Sequence, residues 1–167
     1  MTMSSVILDE GMVYFDARLS HHYPTVEIRV ADVCQRASDT ILVAALCRGL
    51  VETAARELAR DEELVPVPTS MLRLASWQAS REGLTGRLLD PHTVRPRPAW
   101  SVIDQLVEHI SEALEDADDL ARVKDGLERV RQEGNGAQVQ RRSMERTGQL
   151  IDVVSQAVRL TAGQEDG

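Results

Sequence analysis

MVYFDARLSHHYPTVEIRVAD, residues Met12 to Asp32, holds two runs with the alternation of β-strands. In the second, Val26, Ile28 and Val30 alternate with Thr25, Glu27 and Arg29. In the first, Val13, Phe15, Ala17 and Leu19 alternate with Tyr14, Asp16 and Arg18. Successive side chains of a strand point to opposite faces, so each run carries one aliphatic and one charged face. Ser20, His21, His22, Tyr23 and Pro24 supply a plausible turn between them. Paired antiparallel, the runs are expected to bury the aliphatic face and present two acids and two arginines on the other. Such a face could hold a magnesium ion and phosphate oxygens. It could equally be a solvated face whose cross-strand ion pairs contribute roughly 0.2–1 kcal/mol each. Both readings stay open on the pattern alone.

Beyond Asp32 the period changes from that of strands to that of helices. Ser38 or Asp39 is placed to cap a helix running to about Asp61, with Leu42, Ala45, Leu46, Gly49, Leu50, Ala54 and Leu58 on one stripe. Val65-Pro66-Val67-Pro68 ends it, and Thr69 or Ser70 caps a second helix that stops at Gly83. Leu84 to Pro98, containing Asp90-Pro91 and Arg95-Pro96-Arg97-Pro98, reads as a loop. A third helix is expected over about Ala99 to Glu115, with Ile103, Leu106, Val107, Ile110 and Leu114 facing the core. Asp118 and Asp119 open a fourth, which carries Leu120, Val123, Leu127 and Val130 and stops at Gly134-Asn135-Gly136. From about Ala137 to Thr161 the chain is expected to be helical, interrupted at Gly148, with Gln164 to Gly167 a disordered tail.

The expected fold is therefore α+β: an antiparallel strand hairpin, part of a larger sheet, followed by about five packed helices in a single domain over residues 1–163. A lone two-stranded hairpin is marginal, and its open edge invites association. Further strands are expected from elsewhere.

Composition narrows the function classes. The 167 residues suffice for one domain with a real core. Aromatic residues make up only 3% of the chain, so the core must rest on Leu, Val, Ile and Ala. A formal charge of −8 argues against nucleic-acid and anionic-membrane partners, which require clustered Lys and Arg. The positive charge is almost wholly arginine, which suits bidentate recognition of carboxylate or phosphate but would also follow from a GC-rich genome. No apolar run approaches the roughly 18 residues of a membrane span. The start MTMSSVILDEG lacks the basic and apolar regions of a secretory signal, and a cytoplasmic location is expected. Cys34 and Cys47, without CxxC spacing, read as buried free thiols. Neither GxxxxGK[ST] nor GxGxxG occurs after a strand.

Three strings carry a family likeness. TVEIRVADVC, preceded by DARLS and a short turn, resembles the strand motif of carboxylate–amine ligases related to glutamate–cysteine ligase type 2. LASWQASREGLTGRLLDP resembles that family's helix with a Trp, an Arg-x-Gly-Leu and a closing Asp. GAQVQRRSMERTGQLIDVV is similar to its last helices. The likeness runs in order from about Val6 to about Leu160 and corresponds to the carboxy-terminal portion of such a ligase. The family's amino-terminal strand of the Gly-Val-Glu-Glu-Glu kind has no match, since Glu62 and Glu63 end a helix-like segment.

The resemblance implies a chemistry. ATP phosphorylates a glutamate-like carboxylate, and a cysteine-like amine attacks the acyl phosphate, with ATP and Mg2+ as cofactors. It also implies a candidate catalytic set of Arg18, Glu27 and Arg29. Glu27 is the implied metal ligand, Arg29 the phosphate or nucleotide contact, and Arg18 a grip on a carboxylate or phosphate. Each has a structural rival: a salt bridge for Glu27, and pairing with Asp16 or Glu27 for Arg18. Magnesium is rarely held by a single protein carboxylate, and family members supply further acids from the segment unmatched here. Asp32 is expected to cap the next turn, and His21 and His22 to be exposed. Trp77 with Arg81 is expected to combine core packing with surface charge, and Arg141 and Arg142 to line a solvated helix face. A second chain supplying the amino-terminal half, or a homo-oligomer, is the implied assembly. The alternative is a non-catalytic helical interaction partner or a truncated remnant of such a ligase.

Overall fold

The computed structural model describes residues 16–20, 22–63 and 66–164. The chain divides into two compact units, residues 1–34 and 35–167.

In the first unit, β1 (Ala17–Leu19) and β2 (Val26–Ile28) pair antiparallel in the register Ala17↔Ile28, Arg18↔Glu27, Leu19↔Val26. This is the expected hairpin at three residues per strand; Val13, Tyr14, Phe15 and His21 lie outside the described residues. The link is held by the Ser20 N–H donating to the Thr25 carbonyl at 2.9 Å and the Tyr23 N–H donating to the Ser20 hydroxyl at 3.3 Å. The burial of the two faces is the reverse of the expectation. Leu19 is 80% exposed and Val26 and Ile28 are each 37% exposed, whereas Arg18 and Glu27 are half-buried. A two-stranded ribbon is a single layer, so its aliphatic face is covered only where a second layer lies on it. The long charged side chains cover one another across the strands instead.

In the second unit, α1 (Ala37–Ala59) is the organising helix. Its Leu42 and Ala45 meet Ile110, Leu114 and Val123, with Leu46, Leu106, Val107, Leu120, Leu127 and Val130 around them. Ile110, Leu114 and Val123 are fully buried. They come from α3 (Ala99–His109), α4 (Ser111–Asp116) and α5 (Leu120–Glu133), or from the junction between α3 and α4. Two glycines let these helices approach. A Cβ on Gly49 would stand 3.0 Å from Ile110 Cδ1 and 3.1 Å from Leu114 Cδ2, and one on Gly126 3.2 Å from Leu42 Cδ1. Small residues at such crossings set the interhelical distance, and the near-absence of aromatic residues is consistent with a core this close.

Two expected helices are each split, so seven α-helices replace about five among the described residues. The expected third helix breaks at Ile110, where φ is −98° and ψ is 7°. There the Ser111 hydroxyl donates to the Glu108 carbonyl at 2.8 Å and competes with the helical ladder. The last expected helix becomes α6 (Gly136–Thr147) and α7 (Leu150–Thr161), divided as foreseen at Gly148, whose φ of 67° favours glycine. Asn135 starts α6 with a reciprocal capping box: its side chain accepts from the Gln138 N–H at 3.0 Å, and Gln138 accepts from the Asn135 N–H at 2.9 Å.

Other helix starts differ from the expectation. Arg36 occupies the N-cap of α1 and makes no side-chain cap bond. Asp39 pairs with Arg129 of α5 at 2.5 Å, so the helix pair takes the carboxylate that the local start would have used. Pro68 precedes α2 (Thr69–Glu82), which ends before Gly83 as expected.

The segment read as a loop is instead a second hairpin, β3 (Arg87–Asp90) paired antiparallel with β4 (Arg95–Pro98). Asp90 makes it possible. Its Oδ1 accepts the N–H of His92 at 2.8 Å and of Thr93 at 3.2 Å, closing the turn, and its Oδ2 takes Arg97 Nη1 at 3.0 Å. The prolines at 96 and 98 misled the sequence reading. Proline is tolerated on an edge strand, and β4 has only β3 as a neighbour among the described residues.

Candidate functional site

The three residues singled out from the sequence come together on the hairpin, Arg18 on β1, Glu27 on β2 and Arg29 directly after β2. Arg18 and Glu27 are direct cross-strand partners, and Arg29 lies two residues along from Glu27 on the same face. Arg18 Nε donates to Glu27 Oε2 at 2.6 Å, and Arg29 Nε stands 3.5 Å from Oε1. One carboxylate is thus flanked by a guanidinium on each oxygen. The side chains keep 23% (Arg18), 34% (Arg29) and 43% (Glu27) of their surface exposed, so a ligand has access. Asp16 stands opposite Arg29 on the same face, so the face sets two arginines beside two acids. Guanidinium forks suit phosphate or carboxylate oxygens.

The same geometry bears on the implied metal. Both Glu27 oxygens are turned to arginines, and magnesium requires several oxygen ligands in near-octahedral order. No three His, Cys, Asp or Glu side chains gather into a metal-holding cluster among the described residues. These residues by themselves therefore do not fit a magnesium ion. Any ion on Glu27 would need oxygens from beyond them.

The neighbours of the motif behave locally. Asp32 Oδ1 accepts from the Val33 N–H at 2.7 Å, the expected turn role. His22 is exposed, as expected. Trp77 differs from its expectation: it is 59% exposed, with the Arg81 guanidinium 5.3 Å from its ring, so it is a surface stack and not part of the core. Cys34 and Cys47 are free but only partly buried, and burial pushes the Cys47 thiol pKa up.

Sequence reasoning missed two charged centres in the second unit. The buried Asp119 opens α5 as foreseen, but it binds Arg48 of α1 and, at 2.8 Å, Arg122. The hydrogen bond to Arg48 is the main reason its carboxyl pKa lies below the usual range. Asp90 is held down to about 2, first by Arg97 and then by the turn N–H groups. Both lie beside helix or turn signals, which gave a sufficient local reason for an aspartate and hid the long-range partner.

The comparisons with known proteins converge on one family. The model of Glutamate-cysteine ligase family 2 matches residues 1–156, and the chain belongs to that family. A relative from Streptomyces coelicolor, provisionally named glutamate–cysteine ligase 2, is 53% identical over 96% of this chain and 44% of its own length. One from Streptomyces avermitilis, provisionally named glutamate–cysteine ligase 2-1, is 53% identical over 98% of this chain and 45% of its own. A third, from Paenarthrobacter aurescens, is 52% identical over 98% of this chain and 36% of its own. The chain thus spans less than half the length of the curated relatives it matches. No helix among the described residues is long and apolar enough to cross a membrane.

Proposed function

We propose that this chain forms part of the active site of an ATP- and magnesium-dependent carboxylate–amine ligase of the glutamate–cysteine type. The observation that carries the reading is the Arg18–Glu27–Arg29 constellation on one face of the hairpin. Amide formation through an acyl phosphate gathers negative charge on phosphoryl oxygens, and fixed guanidinium groups stabilise such charge. In the resting chain Glu27 serves as the internal anion of the two arginines. An incoming phosphate or carboxylate takes over one of those arginines, and Glu27 is then able to turn an oxygen outward. Arg29 grips phosphate, and Arg18 grips phosphate or a glutamate-like carboxylate. Magnesium, when bound, would neutralise phosphate charge with Glu27 as one ligand among several. The exposed aliphatic face of Leu19, Val26 and Ile28 supports a further layer, from a second polypeptide or another copy, completing the site. Cytoplasmic residence fits this use of ATP.

The test is isothermal titration of magnesium–ATP into the chain, with Glu27→Gln and Arg29→Lys variants. Saturable binding that weakens by about tenfold on Arg29→Lys is expected, because a point charge replaces a planar fork. Unchanged affinity in Arg29→Lys would remove the phosphate role, and no saturable binding by the folded chain would remove the nucleotide from this hairpin.

A further inference from the structure

A cavity of about 410 Å³ in the second unit is lined by Arg36, Glu133, Val139, Arg142, Ser143, Arg146 and Gln156. Its floor is one face of α6: residues 139, 142, 143 and 146 recur at the spacing that stacks side chains along a helix. Arg36, just ahead of α1, and Glu133, at the end of α5, form one side, and Gln156 of α7 closes another. In a chain of formal charge −8, this lining holds three arginines against a single glutamate. Glu133 is already committed to Arg36, and its carbonyl accepts from Arg142. Arg146 is exposed and carries no ion pair among the described residues.

Two further donors in the lining lack an acceptor. Ser143 is only 2% exposed, and its hydroxyl has no hydrogen-bond partner. The Nε of Arg36 is likewise buried without one. A buried polar group without a partner is costly, and natural proteins leave few of them, so each asks for an explanation. An oxygen-rich anion in the cavity would supply acceptors to the hydroxyl and the guanidinium groups together.

We infer that this cavity is a binding site for a small phosphate-bearing molecule, with Arg142 and Arg146 as its cationic grips and Ser143 as a neutral donor. A tetrahedral phosphate has enough oxygens to accept from two forks and a hydroxyl at once, which a single carboxylate does not. The cavity volume lies within the range of small-molecule sites and exceeds what a bare phosphate fills, leaving room for the rest of the ligand beside Val139 and Gln156. The site belongs to the second unit and shares no residue with Arg18, Glu27 and Arg29, so it stands apart from the hairpin reading.

The experiment is a titration of the chain with inorganic phosphate at constant ionic strength, set against chloride and L-glutamate. It is run on the wild type and in an Arg18→Gln/Arg29→Gln background, which removes the guanidinium groups of the hairpin, with an Arg142→Gln/Arg146→Gln double variant or Ser143→Ala added to that background. Both arginines of the double variant are exposed, and circular dichroism checks that each variant is folded. The expected result is saturable phosphate binding that persists in the Arg18→Gln/Arg29→Gln background, weakens by at least about tenfold when the Arg142→Gln/Arg146→Gln double variant is added to it, and falls by a smaller factor with Ser143→Ala. Phosphate binding that survives the double variant in that background, or that is already lost in Arg18→Gln/Arg29→Gln alone, would overturn the site. So would no binding, binding that chloride matches at equal ionic strength, or binding of glutamate in place of phosphate.

Discussion

The closeness of α1 to α4 can be tested by a double-mutant cycle at Gly49 and Leu114. Replacing Gly49 by Ala places a methyl 3.0 Å from Ile110 Cδ1 and 3.1 Å from Leu114 Cδ2. Overpacking of this kind costs about 1–3 kcal/mol, whereas exchanging an interior helical Gly for Ala returns about 1 kcal/mol. The single variant should therefore be destabilised by roughly 0–2 kcal/mol. Leu114 is fully buried, and Leu114→Ala should cost about 3 kcal/mol, within the range for buried leucines. In the double variant one of the two close contacts is gone, and the new methyl occupies part of the vacated space. The helix-propensity gain appears in both backgrounds and cancels, so the cycle isolates the steric term. A favourable coupling of about 0.5–1.5 kcal/mol is expected. Urea unfolding followed by far-ultraviolet circular dichroism measures it, with equal slopes required across the four proteins. Costs that add to within about 0.3 kcal/mol would show that the helices yield at this crossing, and would refute Gly49 as its spacer.

The second hairpin should show an acid signature. Asp90 has a folded-state pKa of about 2, depressed below the unfolded value, so its contribution is present above that unfolded value and is lost as pH falls from about 4 through 2. The melting temperature of Asp90→Asn should therefore lie below the wild type at neutral pH and converge with it near pH 2; a constant offset would contradict the assignment. Asn135→Ala removes the reciprocal cap of α6 and should cost about 1 kcal/mol in urea unfolding. A loss of under a few tenths would mean that solvent satisfies the helix start equally well.

Some of the site was legible from local pattern. The alternation of Thr25 to Val30 put Glu27 and Arg29 on one face without any knowledge of the rest of the chain, and the register opposes Arg18 to Glu27. The burial of that face was not legible, because alternation states which residues share a side but not which side is covered. Trp77 shows the same limit: a large apolar residue on a helix suggested packing, and the structure stacks it on Arg81 in solvent. The cavity over α6 was half visible. The spacing of Arg142, Ser143 and Arg146 marks one helix face, but Arg36 and Glu133, from distant parts of the chain, join it only in the folded structure.

The sequence by itself determined the strand alternation, most helix bodies, the stops at Gly83, Gly134 and Gly148, and the family. All of these are encoded within a few residues, by side-chain period and backbone preference, or in recurring strings. Only the tertiary structure decided that residues 87–98 form a hairpin, that the helix at Ile110 breaks, and that Asp39 and Asp119 bind distant arginines instead of capping. Those outcomes depend on partners far along the chain: Asp39 reaches Arg129, and Asp119 reaches Arg48. At Asp39 and Asp119 the guanidinium is taken in place of a helix-start N–H, and charge-assisted hydrogen bonds are the stronger ones.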